Sequence, residues 1–165
     1  MPNAWKIISP TIGFPAIDAT ETTQLVPLGT RIRARHATYG EGEFIYLPGV
    51  ASTVVGSVVL FSPDNYATSL ATANDVGKLA VAMSANVANQ YGWYQIYGKG
   101  AAKVLTGFVD NADCYLTATA GSVDDADVAG DYIRGMKGAS AIDTPSTGLA
   151  EVERGDPEVA DGKDN

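Results

Sequence analysis

The chain has one cysteine and one histidine in 165 residues. A lone cysteine excludes an intrachain disulfide, so stability has to come from a core or from association. Without further Cys or His, paired metal motifs such as Cys-x-x-Cys or His-Glu-x-x-His cannot be built. Charged residues make up only 18%, below the usual quarter, which points to surface hidden against something else. No apolar run approaches the ~20 residues that cross a bilayer as a helix. The first residues, Met-Pro-Asn-Ala-Trp-Lys, lack the charged and apolar regions of a secretory signal, so synthesis in a cytoplasm is the expectation.

What is abundant is glycine and turn chemistry. Eighteen glycines and eight prolines are spread along the chain, which suits many short strands joined by turns. The net charge of −8 disfavours nonspecific nucleic-acid binding, which needs a basic surface. The charge is uneven, at +2 over residues 1–40 and −4 over residues 151–165.

The most informative stretch runs from Gln90 to Gly107. With period 2, Tyr91, Trp93, Gln95 and Tyr97 share one face of a strand bounded by glycines. Such a face packs a β-core or anchors an interface, where Trp and Tyr are enriched, and a sugar-stacking platform has the same composition. Other strands are expected at Leu28–Thr38, Glu43–Leu47, Val54–Phe61, Cys114–Ala120, Asp131–Met136 and Leu149–Arg154, with a short polar edge strand at Tyr66–Thr72. Lys78–Val87 fits helix or strand, and the alternation of Leu79, Val81 and Met83 after Gly77 favours strand.

Residues 1–27 hold Pro2, Pro10, Pro15 and Pro27 with Trp5 and Phe14. Proline removes backbone donors, so an extended arm is expected, and its large apolar side chains need a surface, favoured to be another subunit or partner. From Gly155 on, Asp, Glu, Gly and Pro predict a disordered acidic tail.

No catalytic constellation is visible. His36 has no Gly-x-Ser-x-Gly elbow to serve, and Cys114 reads as a buried thiol in a strand. The acids Asp124, Asp125, Asp127 and Asp131 miss two requirements of a calcium loop, since Ala129 and Met136 stand at the fifth and twelfth positions. They read as a solvated loop. Gly98-Lys99-Gly100 lacks phosphate-loop spacing. Arg31, Arg33 and Arg35 share one strand face, where they repel unless acids meet them. Those acids belong either to a neighbouring strand of the same chain or to a partner surface.

Three runs are similar to a known group. Tyr39–Gly49, Val81–Asn86 through Tyr91–Gly98, and Lys137–Ile142 resemble the head decoration, or capsid cement, proteins of tailed bacteriophages. The likeness spans roughly residues 39–150 and departs most in the arm and the tail. It implies a β-rich homotrimer on the outer capsid surface of the virion, made in the host cytoplasm and clamping neighbouring copies of the major capsid protein. No enzyme activity, cofactor, nucleic acid or membrane is implied.

The combined expectation is an all-β antiparallel sandwich or barrel, jelly-roll-like, over residues 28–154. An extended arm (1–27) precedes it and a disordered acidic tail (155–165) follows. Tyr91, Trp93 and Tyr97 are the expected subunit interface. Trp5, Phe14, Arg31, Arg33 and Arg35 are the expected capsid contacts. The alternative is a tail- or spike-associated β-module that binds a host glycan through the aromatic face.

Overall fold

A computed structural model describes residues 5–9 and 13–160. Twelve strands follow one another, with no helix among the described residues: β1 Trp5–Ile7, β2 Thr20–Glu21, β3 Arg31–His36, β4 Gly40–Pro48, β5 Val58–Phe61 and β6 Thr68–Leu70, then β7 Gly77–Ala82, β8 Tyr91–Lys103, β9 Asp113–Leu116, β10 Val123–Asp124, β11 Tyr132–Gly138 and β12 Leu149–Val159. They pair antiparallel in one sheet with the path β1-β3-β4-β8-β7-β12-β11-β9-β10. The sheet is not closed, so the barrel half of the expectation is corrected to an open, sandwich-like all-β fold.

β8 is the hub. Its thirteen residues pair with β4 and β7 early and with β12 late. Alternation sends successive side chains to opposite faces, and here both faces are covered. Phe44, Tyr46 and Trp93 enter one core with Trp5, Ile17 and Val26. Ile45, Leu47, Tyr94 and Ile96 enter a second core with Val59 and Phe61. A third core gathers Val58, Leu79, Val81, Phe108, Leu116, Ile133 and Val152.

The segment Lys78–Val87 resolves as strand β7 over Gly77–Ala82, and Thr68–Leu70 is an edge strand paired only with β5. Two expectations change at the ends. The arm lies on its own domain: Trp5, Ile17 and Val26 are buried, and Trp5 stands edge-on to Phe44 at 4.9 Å. Pro15 and Pro27 lie outside the ladder, yet β4 and β8 offer an apolar face that the large side chains of the arm cover. Expected arm residues 1–4 and 10–12 lie outside the described residues.

The acidic segment is also ordered further than composition suggests. β12 continues to Val159, with Pro157 and Val159 buried. Its acids are held by bases on other strands, Asp156 by Arg31 and Glu158 by Lys78. Residues 161–165 of the expected tail lie outside the described residues.

Candidate functional site: a charged groove around Tyr97

The alternation of β3 turns Ile32 and Ala34 inward and leaves Arg31, Arg33 and Arg35 exposed. Two of the three guanidinium groups are met inside the chain. Arg33 bonds Glu41 on β4, and Arg31 Nη1 lies 3.4 Å from Asp156 Oδ1 on β12. Arg35 stands opposite Lys6 of β1 in the register of the sheet. Among the described residues neither Lys6 nor Arg35 has an ion-pair partner.

Beside Arg33 the surface is hollowed. A cavity of about 260 Å³ is lined by Arg33, Glu41, Gly42, Glu43 and Tyr97. A neighbouring hollow of about 320 Å³ shares Glu41 and Tyr97 and continues to Tyr39, Lys99, Glu153 and Arg154. Tyr97 is 50% exposed on the ridge between them. Lys99 Nζ holds Glu151 at 2.9 Å on the far rim.

The floor of the groove is polar and rigid. Gln95, fully buried, donates from Nε2 to the carbonyls of Tyr97 and Lys99 at 3.1 and 3.2 Å. Its Oε1 accepts from Arg154 Nη1 at 2.5 Å. Arg154 Nη2 donates to the carbonyls of Gly100 and Ala101 at 3.2 and 2.7 Å. No carboxylate meets this guanidinium among the described residues, and burial pushes its pKa down to about 9, the direction expected of a desolvated cation. Glycines make the room: a Cβ on Gly100 would lie 2.4 Å from Gln95 Oε1, and one on Gly98 2.5 Å from the Glu41 carbonyl.

The expected site residues are therefore divided. Tyr97, Arg31 and Arg33 are exposed, and Tyr97 shares one hollow with Arg33. Trp93 is corrected from interface to core. It has no exposed surface, packs on Tyr46 at 5.0 Å and donates from Nε1 to the Pro15 carbonyl at 3.1 Å. Trp5 is likewise corrected from capsid contact to core, at 7% exposure. Phe14 is half-buried against Trp93 at 5.9 Å, and Tyr91 half-buried beside Tyr46. The arm supplies cover for Trp93, and the sheet in turn supplies it for Trp5 and Phe14.

The groups with reactive or metal-binding side chains are tied up. His36 accepts at Nδ1 from the Thr38 and Tyr39 amides at 2.9 and 3.2 Å, and its ring stacks on Tyr39 at 4.5 Å. Burial lowers its pKa. Cys114 lies in another core, and burial pushes its thiol up to about 12. Asp125 accepts from the Val109 amide at 3.0 Å, and Asp131 from the Asn74 amide at 2.6 Å, so both act as loop clamps. Among the described residues no three His, Cys, Asp or Glu side chains gather as metal ligands.

Sequence reasoning did not reach Gln95, Glu41 or Arg154. A polar residue in mid-strand with Gly98 and Gly100 just beyond it was the available signal for the first. The alternation of Val152 with Arg154 was the signal for the last, since it turns an arginine inward. Compared with known protein families, with curated proteins and with solved structures, the chain finds no match.

Proposed function

We propose that the protein is a non-enzymatic decoration protein of a tailed-phage head. It binds the outer capsid surface as a homotrimer and cements neighbouring capsid subunits. One observation carries this reading. Of the runs that resemble such proteins, Tyr39–Gly49 and Tyr91–Gly98 fall on the paired strands β4 and β8, and Val81–Asn86 begins on the last two residues of the adjoining β7 and continues into the loop that leads to β8. The likeness thus belongs to one spatial unit. A jelly-roll-like wrapping of the sheet belongs to the same reading, supported by three cores laid along one open sheet.

The groove around Tyr97 is the docking face in this reading, so Tyr97 moves from the subunit interface to the capsid contact. An exposed tyrosine with a rim of Arg33, Glu41 and Glu43 matches the anatomy of an interface, an aromatic anchor ringed by charge. Burial at each contact stabilises by ~25 cal/mol per Å² of apolar surface. Repetition over many copies turns modest contacts into particle stability. The glycan alternative would rest on Tyr97 and Tyr91, since the Trp93 ring is inside the core.

The test is sedimentation of the purified chain with heads that lack it, prepared from the phage that encodes it. The chain is expected to pellet with heads, and Tyr97→Ala to pellet at least tenfold less. Binding unchanged by that substitution would remove the groove from the account. Absence of binding by the unaltered chain would remove the function.

A further inference from the structure

The main path of strands through the open sheet runs from β1 to β10, and its two ends are chemically opposite. At one end, β1 pairs with β3 and puts Lys6 directly across from Arg35. Like charges in that position repel, and among the described residues no acid forms an ion pair with either, since Glu41, opposite Arg35 on β4, is held by Arg33. Ile8, 45% exposed, sits beside them, and a hollow of about 300 Å³ is lined by Lys6, Ile8, Arg35 and Ala37. This edge is positive with an aliphatic centre.

The other end is β10, Val123–Asp124, which pairs with β9 and is bridged at Val123 to Val104. The loops around it bring Asp124, Asp125 and Asp127 together with Val128, which is 46% exposed. The Asp125 carboxylate holds the amide of Val109 at 3.0 Å. That bond draws in Val109, 54% exposed, and the neighbouring exposed Asp110. Burial, and less strongly the adjacent Asp125, hold the Asp124 carboxyl above its ordinary range, a condition an incoming cation would relieve. This edge is negative with an aliphatic centre.

We propose that the β1 edge of one copy docks on the β10 edge of the next, Lys6 and Arg35 facing Asp110 and Asp127, with Ile8 packed against Val109 and Val128. The occupant of each edge is a second copy of this chain. Complementary charge selects the pairing and disfavours like edges meeting. A contact between two different surfaces is head-to-tail, and it closes into a ring when the rotation per copy allows. The inference rests on the homotrimer reading above and supplies its subunit contact, leaving the Tyr97 groove free for the capsid.

The experiment uses the full chain and native mass measurement across a dilution series. Two variants reverse one edge each: Lys6→Glu with Arg35→Glu, and Asp110→Lys with Asp127→Lys. All four positions are exposed, and far-ultraviolet circular dichroism checks that the fold is kept. Each variant is expected to weaken the trimer at least tenfold. The fourfold variant, with both edges reversed, restores complementarity and is expected to bring the trimer back. A trimer indifferent to the single-edge reversals overturns the contact while leaving the trimer reading intact. Weakening without rescue in the fourfold variant overturns it as well. A wild-type chain that is monomeric throughout overturns both.

Discussion

Arg154 Nη1 donates to Gln95 Oε1 at 2.5 Å across the β8–β12 seam, and among the described residues no carboxylate shares the charge. A guanidinium held by neutral acceptors fixes the groove floor through geometry rather than through ion pairing. Removing it leaves Gln95 Oε1 and the carbonyls of Gly100 and Ala101 without these donors. Arg154→Met is therefore expected to destabilise by about 2–5 kcal/mol in urea unfolding. Arg154→Met combined with Gln95→Leu is expected to lose less than the sum of the single changes, because the two side chains are one unit. Strict additivity would contradict that coupling.

Gly98 and Gly107 have nearly the same backbone, φ +99° and +98°. A side chain is strained at both, but a Cβ on Gly98 also meets the Glu41 carbonyl at 2.5 Å, while nothing lies within 4 Å of one on Gly107. Gly107→Ala is expected to cost about 1–2 kcal/mol from conformation alone. Gly98→Ala should cost at least ~1 kcal/mol more, since the opposing atoms are backbone. Equal melting shifts for the two would mean that β4 yields at Glu41.

Two of the three aromatics of β8 that the sequence groups on one face, Trp93 and Tyr97, have opposite duties. Trp93→Ala is expected to cost about 3–5 kcal/mol as a core truncation. Tyr97→Ala should leave unfolding within ~0.5 kcal/mol of the parent, as exposed positions do. A chemical-denaturation midpoint moved as far by Tyr97→Ala as by Trp93→Ala would place Tyr97 in the core.

The strands of this fold were legible because period 2 survives wherever one face is buried. Ile32 and Ala34 against Arg31, Arg33 and Arg35 is the clearest instance. β2 and β10, two residues each, are too short to carry a period. The partners were not legible. Arg31 finds Asp156 at a separation of 125 residues, and nothing local marks that acid as its counter-ion. The need of Trp5 for a cover was readable, but not whose surface supplies it. At the other terminus, acidic composition hid the alternation of Pro157 and Val159 that seats β12.

Cys114 is a test of burial. The thiol, raised from 9.0 to about 12 by desolvation, is expected to ignore a disulfide reagent in the native protein and react fully once unfolded. The folded state keeps a proton that the unfolded chain loses near pH 9.0. This contribution is therefore whole below that pH and is lost as pH rises toward 12, at up to ~1.4 kcal/mol per unit. Tyr94, raised from 10.0 to about 12, acts in the same direction. Cys114→Ala should flatten the alkaline loss of stability, and an unchanged slope would assign it elsewhere.

The most direct test of the central claim is the temperature at which DNA-filled heads release their DNA, with and without this protein. Heads carrying it are expected to hold their DNA to a higher temperature, and titrating the protein back onto bare heads should restore the difference as sites fill. Saturated heads that release DNA at the same temperature as bare ones would contradict the account.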